Sequence, residues 1–238
     1  MSEMNRTTTY TALDTGLKAY ILNVFTKMGL GLALTAAIAY FGYTSLASGG
    51  ALGAMVFGNP IIMVILVVLQ LGLCIWLSTS LHKLNPTTAS ILYFAYCAIT
   101  GITFSTLPFV YGFGNVFTAF LFAAVMFGGC VVIGHTTNVD LSQFRGLLLG
   151  GLVALVITTI LSIFIPILRE SLLISYFGVI LFLGLTAYDM QKIKHFYYST
   201  NDPVLQENLA TFGAFELYLD FINLFLQILR ILGRRSRD

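Results

Sequence analysis

The stretch "FELYLDFINLFLQILR", residues 215–230, decides the fold. Within a run of Phe, Leu and Ile it carries Glu216, Asp220, Asn223, Gln227 and Arg230. The steps between them are four, three, four and three residues. On an α-helix that spacing puts all five on one stripe, while apolar side chains cover the rest of the surface. A helix of this composition belongs in lipid, and a polar stripe on it faces protein or water, not acyl chains.

The whole chain shares that character. Of its 238 residues, 58% are hydrophobic and 9% charged, with a mean hydropathy of +0.89. A soluble domain carries about a quarter of its residues as charges, so these charges are too few to coat a soluble surface. The apolar residues fall into seven runs, roughly 28–46, 60–81, 88–111, 116–135, 145–168, 172–190 and 212–232, each near the length a helix needs to cross the hydrocarbon core. The expected fold is an all-α polytopic membrane protein of seven transmembrane helices, with the striped last helix central in the bundle. Residues 1–27 are expected as a cytosolic or interfacial N-terminal arm, 28–232 as one seven-helix membrane domain, and 233–238 as a short basic tail. The first 27 residues hold Glu3, Arg6, Asp14, Lys18 and Lys27 and lack the apolar core of a cleavable signal peptide.

Loop charges orient the helices. Arg6, Lys18 and Lys27 precede the first run, Lys83 follows the second, Arg145 follows the fourth, and Lys192 and Lys194 follow the sixth. The opposite loops contribute Arg169 alone. The positive-inside rule puts the N-terminus in the cytosol. Arg230, Arg234, Arg235 and Arg237 oppose this at the end of the seventh run. Seven full crossings are still expected, since 212–232 makes about 30 Å of helix.

Other positions read as structure. Gly146 and Gly150 form a GxxxG pair, and Gly101 with Ser105 a small-xxx-small pair, both suited to close helix approach. Pro108 and Pro166 mark kinks near span ends, and Asp140 and Ser142 are candidate N-caps. The polar stretch "QKIKHFYYSTNDPVLQEN" is the longest expected connection. Cys74, Cys97 and Cys130 fall in different runs and read as small packing residues. His82, His135 and His195 lie at run ends without metal-ligand spacing and read as solvated. No HExxH, GxSxG or phosphate-binding glycine motif occurs, so no enzyme and no nucleic-acid partner is expected.

Chemistry concentrates on three carboxylates, Asp189 in "LTAYDMQKIK" and Glu216 and Asp220 in the last run. A carboxylate at membrane depth costs about 2.5–3.5 kcal/mol on insertion scales and normally faces the bundle interior or water. Asp189 lies about one turn from the cytosolic boundary and Asp220 about 12 Å in, so the two reach similar depths. If they meet, the pair shares a proton over part of the pH range, and its deprotonation repels the helices or recruits a cation. Weak, transient calcium binding suits such a pair, which falls short of calcium's ~6–8 oxygen ligands. Read structurally, the same pair is a hydrogen-bonded fastening of the last helix. Asn223, Gln227 and Arg230 continue the stripe as pathway-lining candidates. Tyr93, Tyr96, Thr100 and Thr103 offer a milder polar face, and Gln70 is a lone polar group able to reach the same interior.

The pattern resembles the transmembrane Bax inhibitor motif family, the Bax inhibitor-1-like proteins. "YDMQKIK" and "ELYLDFINLFLQILRILG" carry the resemblance most specifically, supported by "VFTKMGLGLALTAAIAYF", "AITGITFSTLPFVY" and "HTTNVDLSQF". It covers the chain from about Phe25 to Gly233 and is closest to bacterial members. The resemblance implies a pH-sensitive calcium leak controlled by an aspartate pair matching Asp189 and Asp220. It also implies an arginine latch at the end of the second segment, where this chain reads "WLSTSLHKL" with Ser80 near that position. Some relatives carry an acidic residue where Gln70 stands.

Two functions follow as expectations. One is a calcium leak, with calcium as the transported or weakly bound ion and no cofactor. The alternative is a non-conducting regulator that binds another membrane protein, such as a protease or stress-response partner. A retinal photoreceptor is excluded because residues 212–232 contain no lysine for a Schiff base. The expected location is the lipid bilayer of a bacterial inner membrane.

Overall fold

A computed structural model of the chain describes the backbone of residues 2–50, 60–80, 83–169 and 171–235, and side chains from residue 15 onward except at 60, 63, 64, 67, 163, 166, 169 and 235. His82, the 51–59 connection and the last three residues of the basic tail lie outside the described residues.

Helix boundaries fall where the backbone gains a cap or loses a donor. α1 runs Ser2–Ala47, α2 Pro60–Ser80 and α3 Pro86–Phe104. Asn85 caps α3 by accepting the Thr87 N–H, with Pro86 in the first turn where its missing N–H costs nothing. The expected 88–111 span is broken: α3 ends at Phe104, and a short α4 covers Leu107–Tyr111. Pro108 supplies no N–H to the Phe104 carbonyl, and the hydroxyls of Ser105 and Thr106 turn back onto the carbonyls of Ile102 and Thr103. α5 spans Phe113–Thr136, a 3₁₀ turn spans Leu141–Phe144 with Asp140 as its cap, and α6 spans Arg145–Phe164. α7 (Pro166–Arg169) is a single turn opened by Pro166.

The last two helices correct the reading of the longest connection. α8 runs Leu172–Ser199 and α9 Pro203–Arg235. Most of "QKIKHFYYSTNDPVLQEN" is therefore helical, and residues 200–202 alone join the two. Hydropathy sees only the lipid-facing length of a helix, whereas a helix continues wherever its backbone bonds do.

Seven of these helices have 19 residues or more. Among the described residues six are long and apolar enough to cross a bilayer: Thr15–Ala47, Pro86–Tyr111, Phe113–Thr136, Leu141–Ser162, Leu172–Ser199 and Pro203–Arg234. In α2 the described apolar stretch is the shorter Val68–Ser80. Large apolar side chains such as Val125, Leu147 and Phe164 stand exposed, as lipid-facing positions do. The chain is a polytopic helical membrane protein.

Its residues group into two compact units. The first comprises residues 1–106 and 193–215. There α1 and α3 approach closely: a Cβ on Gly101 would meet the Thr35 carbonyl and Ile38, and one on Gly42 would meet Ser105. Thr35 donates to the Cys97 carbonyl at 2.9 Å across this contact. The small pair Gly101 and Ser105 therefore seats α1. The second unit comprises residues 107–192 and 216–238. Here Gly134 of α5 abuts the backbone of Ala187 in α8, Gly151 of α6 faces Leu181, and Gly184 faces Leu148. Gly146 and Gly150 meet nothing within 4 Å. The GxxxG pair thus makes no close approach, and its neighbour Gly151 does. Phe221 of α9 stacks edge-on against Phe120 and Phe127 of α5.

Candidate functional site: a carboxylate pair on two helices

α8 and α9 run antiparallel through the second unit. Asp189 of α8 reaches Asp220 of α9, and Lys192 of α8 reaches Glu216 of α9. Moving three residues forward in α8 moves four back in α9, one turn in each, so the contacts form successive rungs. A third rung lies further along: a Cβ on Gly178 would come within 2.8 Å of Gln227 Cγ and Cδ, so glycine there lets the Gln227 side chain pack on the α8 backbone.

The first rung is deeply buried. Asp189 is 8% exposed and Asp220 5%. The two carboxyls are hydrogen-bond partners of one another, and the Thr186 hydroxyl is a further partner of Asp220. Thr186 sits one turn before Asp189 and donates its hydroxyl hydrogen to the Phe182 carbonyl at 2.7 Å. Among the described residues no N–H or O–H reaches Oδ2 of Asp220. Two ionised carboxylates have no hydrogen to place between them. A proton on one of them closes the pair; its loss leaves like charges in contact in a low-dielectric setting.

The second rung is an ion pair. Lys192 Nζ donates to Glu216 Oε1 at 2.5 Å, with side chains 29% and 18% exposed. The other oxygen, Oε2, is buried without a donor among the described residues. Lys192 thus bears on Asp189 as well as on Glu216.

The remaining stripe residues divide. Gln227 is buried and its Oε1 also lacks a donor among the described residues. Asn223 is half-buried and donates to the Leu219 carbonyl of its own helix at 2.8 Å. Arg230 is exposed. Gln70 lies in the first unit, where its amide donates to the Thr100 hydroxyl at 2.9 Å. Among the described residues no group of three or more His, Cys, Asp or Glu side chains is arranged to hold a metal ion. Two carboxylates fall short of the ~6–8 oxygen ligands that calcium takes.

Sequence reasoning misses the Lys192–Glu216 pair and a polar cluster in the first unit. In that cluster Lys27 donates to Glu207 at 2.6 Å and to Thr211 at 2.5 Å, while Asn23 donates to the other Glu207 oxygen at 2.8 Å. Asn23 and Lys27 stand four apart, as do Glu207 and Thr211, a spacing that puts each pair on one helix face. That spacing is a usable signal, hidden when both segments are read as non-helical.

A profile of the family described as Inhibitor of apoptosis-promoting Bax1 matches residues 17–237. The chain belongs to this family of Bax inhibitor-1-like membrane proteins. Inner membrane protein YbhL of Escherichia coli strain K12 is 37% identical over 224 residues, covering 92% of this chain and 93% of that protein. An uncharacterized protein of Borreliella burgdorferi is 35% identical over 225 residues, with the same coverage of both chains.

Proposed function

We propose that the protein is a non-enzymatic, pH-sensitive leak for cations, calcium foremost, gated by the Asp189–Asp220 pair. The observation that carries this reading is the buried Asp220 carboxyl, hydrogen-bonded to Asp189, with Oδ2 reached by no donor among the described residues. Protonated, the pair is neutral and ties α8 to α9. Deprotonated, it repels itself and attracts a cation, so proton occupancy changes both the helix contact and the charge offered to an ion. Glu216 and Gln227 each present another oxygen without a donor among the described residues, on the same face of α9, the kind of weak, successive acceptors that passage requires.

This reading takes the protein as seven crossings with a cytosolic N-terminus in a bacterial inner membrane. Its supports are the asymmetry of Lys and Arg over the loops, the 21 residues of α2, and the inner-membrane name of the YbhL relative. It takes α9 as the central helix, because buried residues lie on opposite sides of it, Phe215, Tyr218 and Leu229 on one and Leu217 and Leu224 on the other.

The test is calcium flux into liposomes holding purified protein, at about pH 6 and about pH 8, on either side of neutrality. Wild type is expected to differ between the two, and Asp220→Asn to lose that difference. Flux equal to that of empty liposomes in every condition overturns the reading.

A further inference from the structure

The proton account of the Asp189–Asp220 pair leaves the ammonium beside it unused. Lys192 stands one turn beyond Asp189 on α8, and its partner Glu216 one turn before Asp220 on α9. The charged groups that bear on the pair are Glu216 and Lys192, with Thr186 as its neutral hydroxyl partner. Tyr188 directly precedes Asp189 in sequence and acts on Lys192. On α5, His135 follows Gly134, which abuts Ala187, and its own side chain is exposed.

A lysine stem has four carbons and rotates freely, so its ammonium can cross one helical turn. Its target is specific: Oδ2 of Asp220 is buried, lies in a residue 5% exposed, and has no donor among the described residues. When the pair loses its proton, the uncompensated charge is at the aspartates, while Glu216 already shares its charge with Lys192. The ammonium on Glu216, which already bears on Asp189, is a cation able to respond.

We propose that Lys192 is the resident counter-cation of the acidic cluster: its ammonium moves from Glu216 to the deprotonated Asp189–Asp220 pair and competes there with any metal cation. The exchange is a movement of an existing charge; no bond forms or breaks. Lys192 is then a positioning and specificity-determining residue. A divalent ion must displace it, which favours calcium over monovalent ions at the same oxygens. The competition with a transported ion rests on the leak reading above; the movement of the ammonium does not.

The experiment titrates the carboxylic acid C=O stretch by infrared spectroscopy in purified full-length protein, without any ion gradient. Lys192→Met removes the ammonium that bears on Asp189 and Glu216, so the pair should hold its proton to a pH higher by about one unit or more. Glu216→Gln frees the ammonium for the pair, so the proton should be lost at lower pH by a comparable amount. Lys192→Arg keeps the charge and should titrate close to wild type, which separates the charge from a general loss of fold. Calcium flux is measured on the same proteins. Opposite shifts in Lys192→Met and Glu216→Gln, with Lys192→Met raising flux at a pH above its own midpoint, support the proposal in full. Opposite shifts with no flux in any protein sustain the counter-cation and overturn the leak. Midpoints that stay at the wild-type value in both variants, or shift in the same direction, overturn the counter-cation whatever the flux.

Discussion

Lys27 and Glu207, 180 residues apart in the chain, meet at 2.6 Å in the first unit. The lysine is nearly buried, with 12% of its side chain exposed, and the glutamate is 41% exposed. Glu207 also receives Asn23, and Lys27 also reaches Thr211, so the pair ties α1 to the start of α9 by three side-chain bonds. Replacing Lys27 with Met should lower stability by about 1–2 kcal/mol, a buried-pair loss discounted for the exposure of Glu207. Thermal unfolding in detergent, with hydrogen exchange along α1, checks this. An unchanged melting temperature would make the pair an incidental surface contact.

Glycine substitutions separate the close approaches from the open positions. A Cβ on Gly134 would press on the Ala187 backbone, which cannot turn aside as a side chain can. Gly134→Ala should destabilise the protein by roughly 1–3 kcal/mol. Gly150→Ala meets nothing and should be neutral or stabilising, by up to about 1 kcal/mol, because alanine is the better helix former. Paired melting curves decide the matter, and equal losses from both would contradict the packing described for α5 and α8.

Gln227 distinguishes a conducting stripe from a structural seam. Its Oε1 is buried without a donor among the described residues, and an unsatisfied buried acceptor costs about 1–3 kcal/mol. Gln227→Leu should therefore hold or raise the melting temperature. On the leak account the same change removes an oxygen from the ion's route and lowers calcium flux severalfold. A variant that is more stable and conducts as wild type would show that Gln227 has no part in passage.

Gln70 bears on the first unit alone. Its amide bond to Thr100 has a net worth of about 1 kcal/mol, and Gln70→Leu should cost that much in a melting curve. The pH dependence of flux should survive the change, since the titrating pair is Asp189 and Asp220. A flattened pH profile in Gln70→Leu would assign Gln70 a role in gating.

How much of this is legible in the sequence depends on the kind of feature. Lipid-length apolar runs announce the helices of the membrane protein, because hydrophobic length is set by the bilayer. The ends of those helices are less visible. α8 and α9 extend through "QKIKHFYY" and "PVLQEN", where side chains are polar but the backbone remains helical. The polar stripe on α9 identifies Asp220 and Gln227 from spacing alone. The Lys192–Glu216 rung is not legible: its register depends on where α8 ends and α9 begins, and a few residues' error there rotates the facing side chains away. The glycine motif fails for a related reason. Small residues at i and i+4 show that one face can be approached, whereas the packed face of α6 is the one that carries Gly151.

The measurement that tests the account most directly is calcium flux against pH for wild type, Asp189→Asn, Asp220→Asn and the double variant, in liposomes of one composition. Two carboxyls that share one proton act as a unit, so each single substitution should remove most of the pH dependence and the double should add little to either. Independent, additive effects of the two substitutions, or a pH profile intact in all three variants, would contradict the claim that the Asp189–Asp220 pair is the gate.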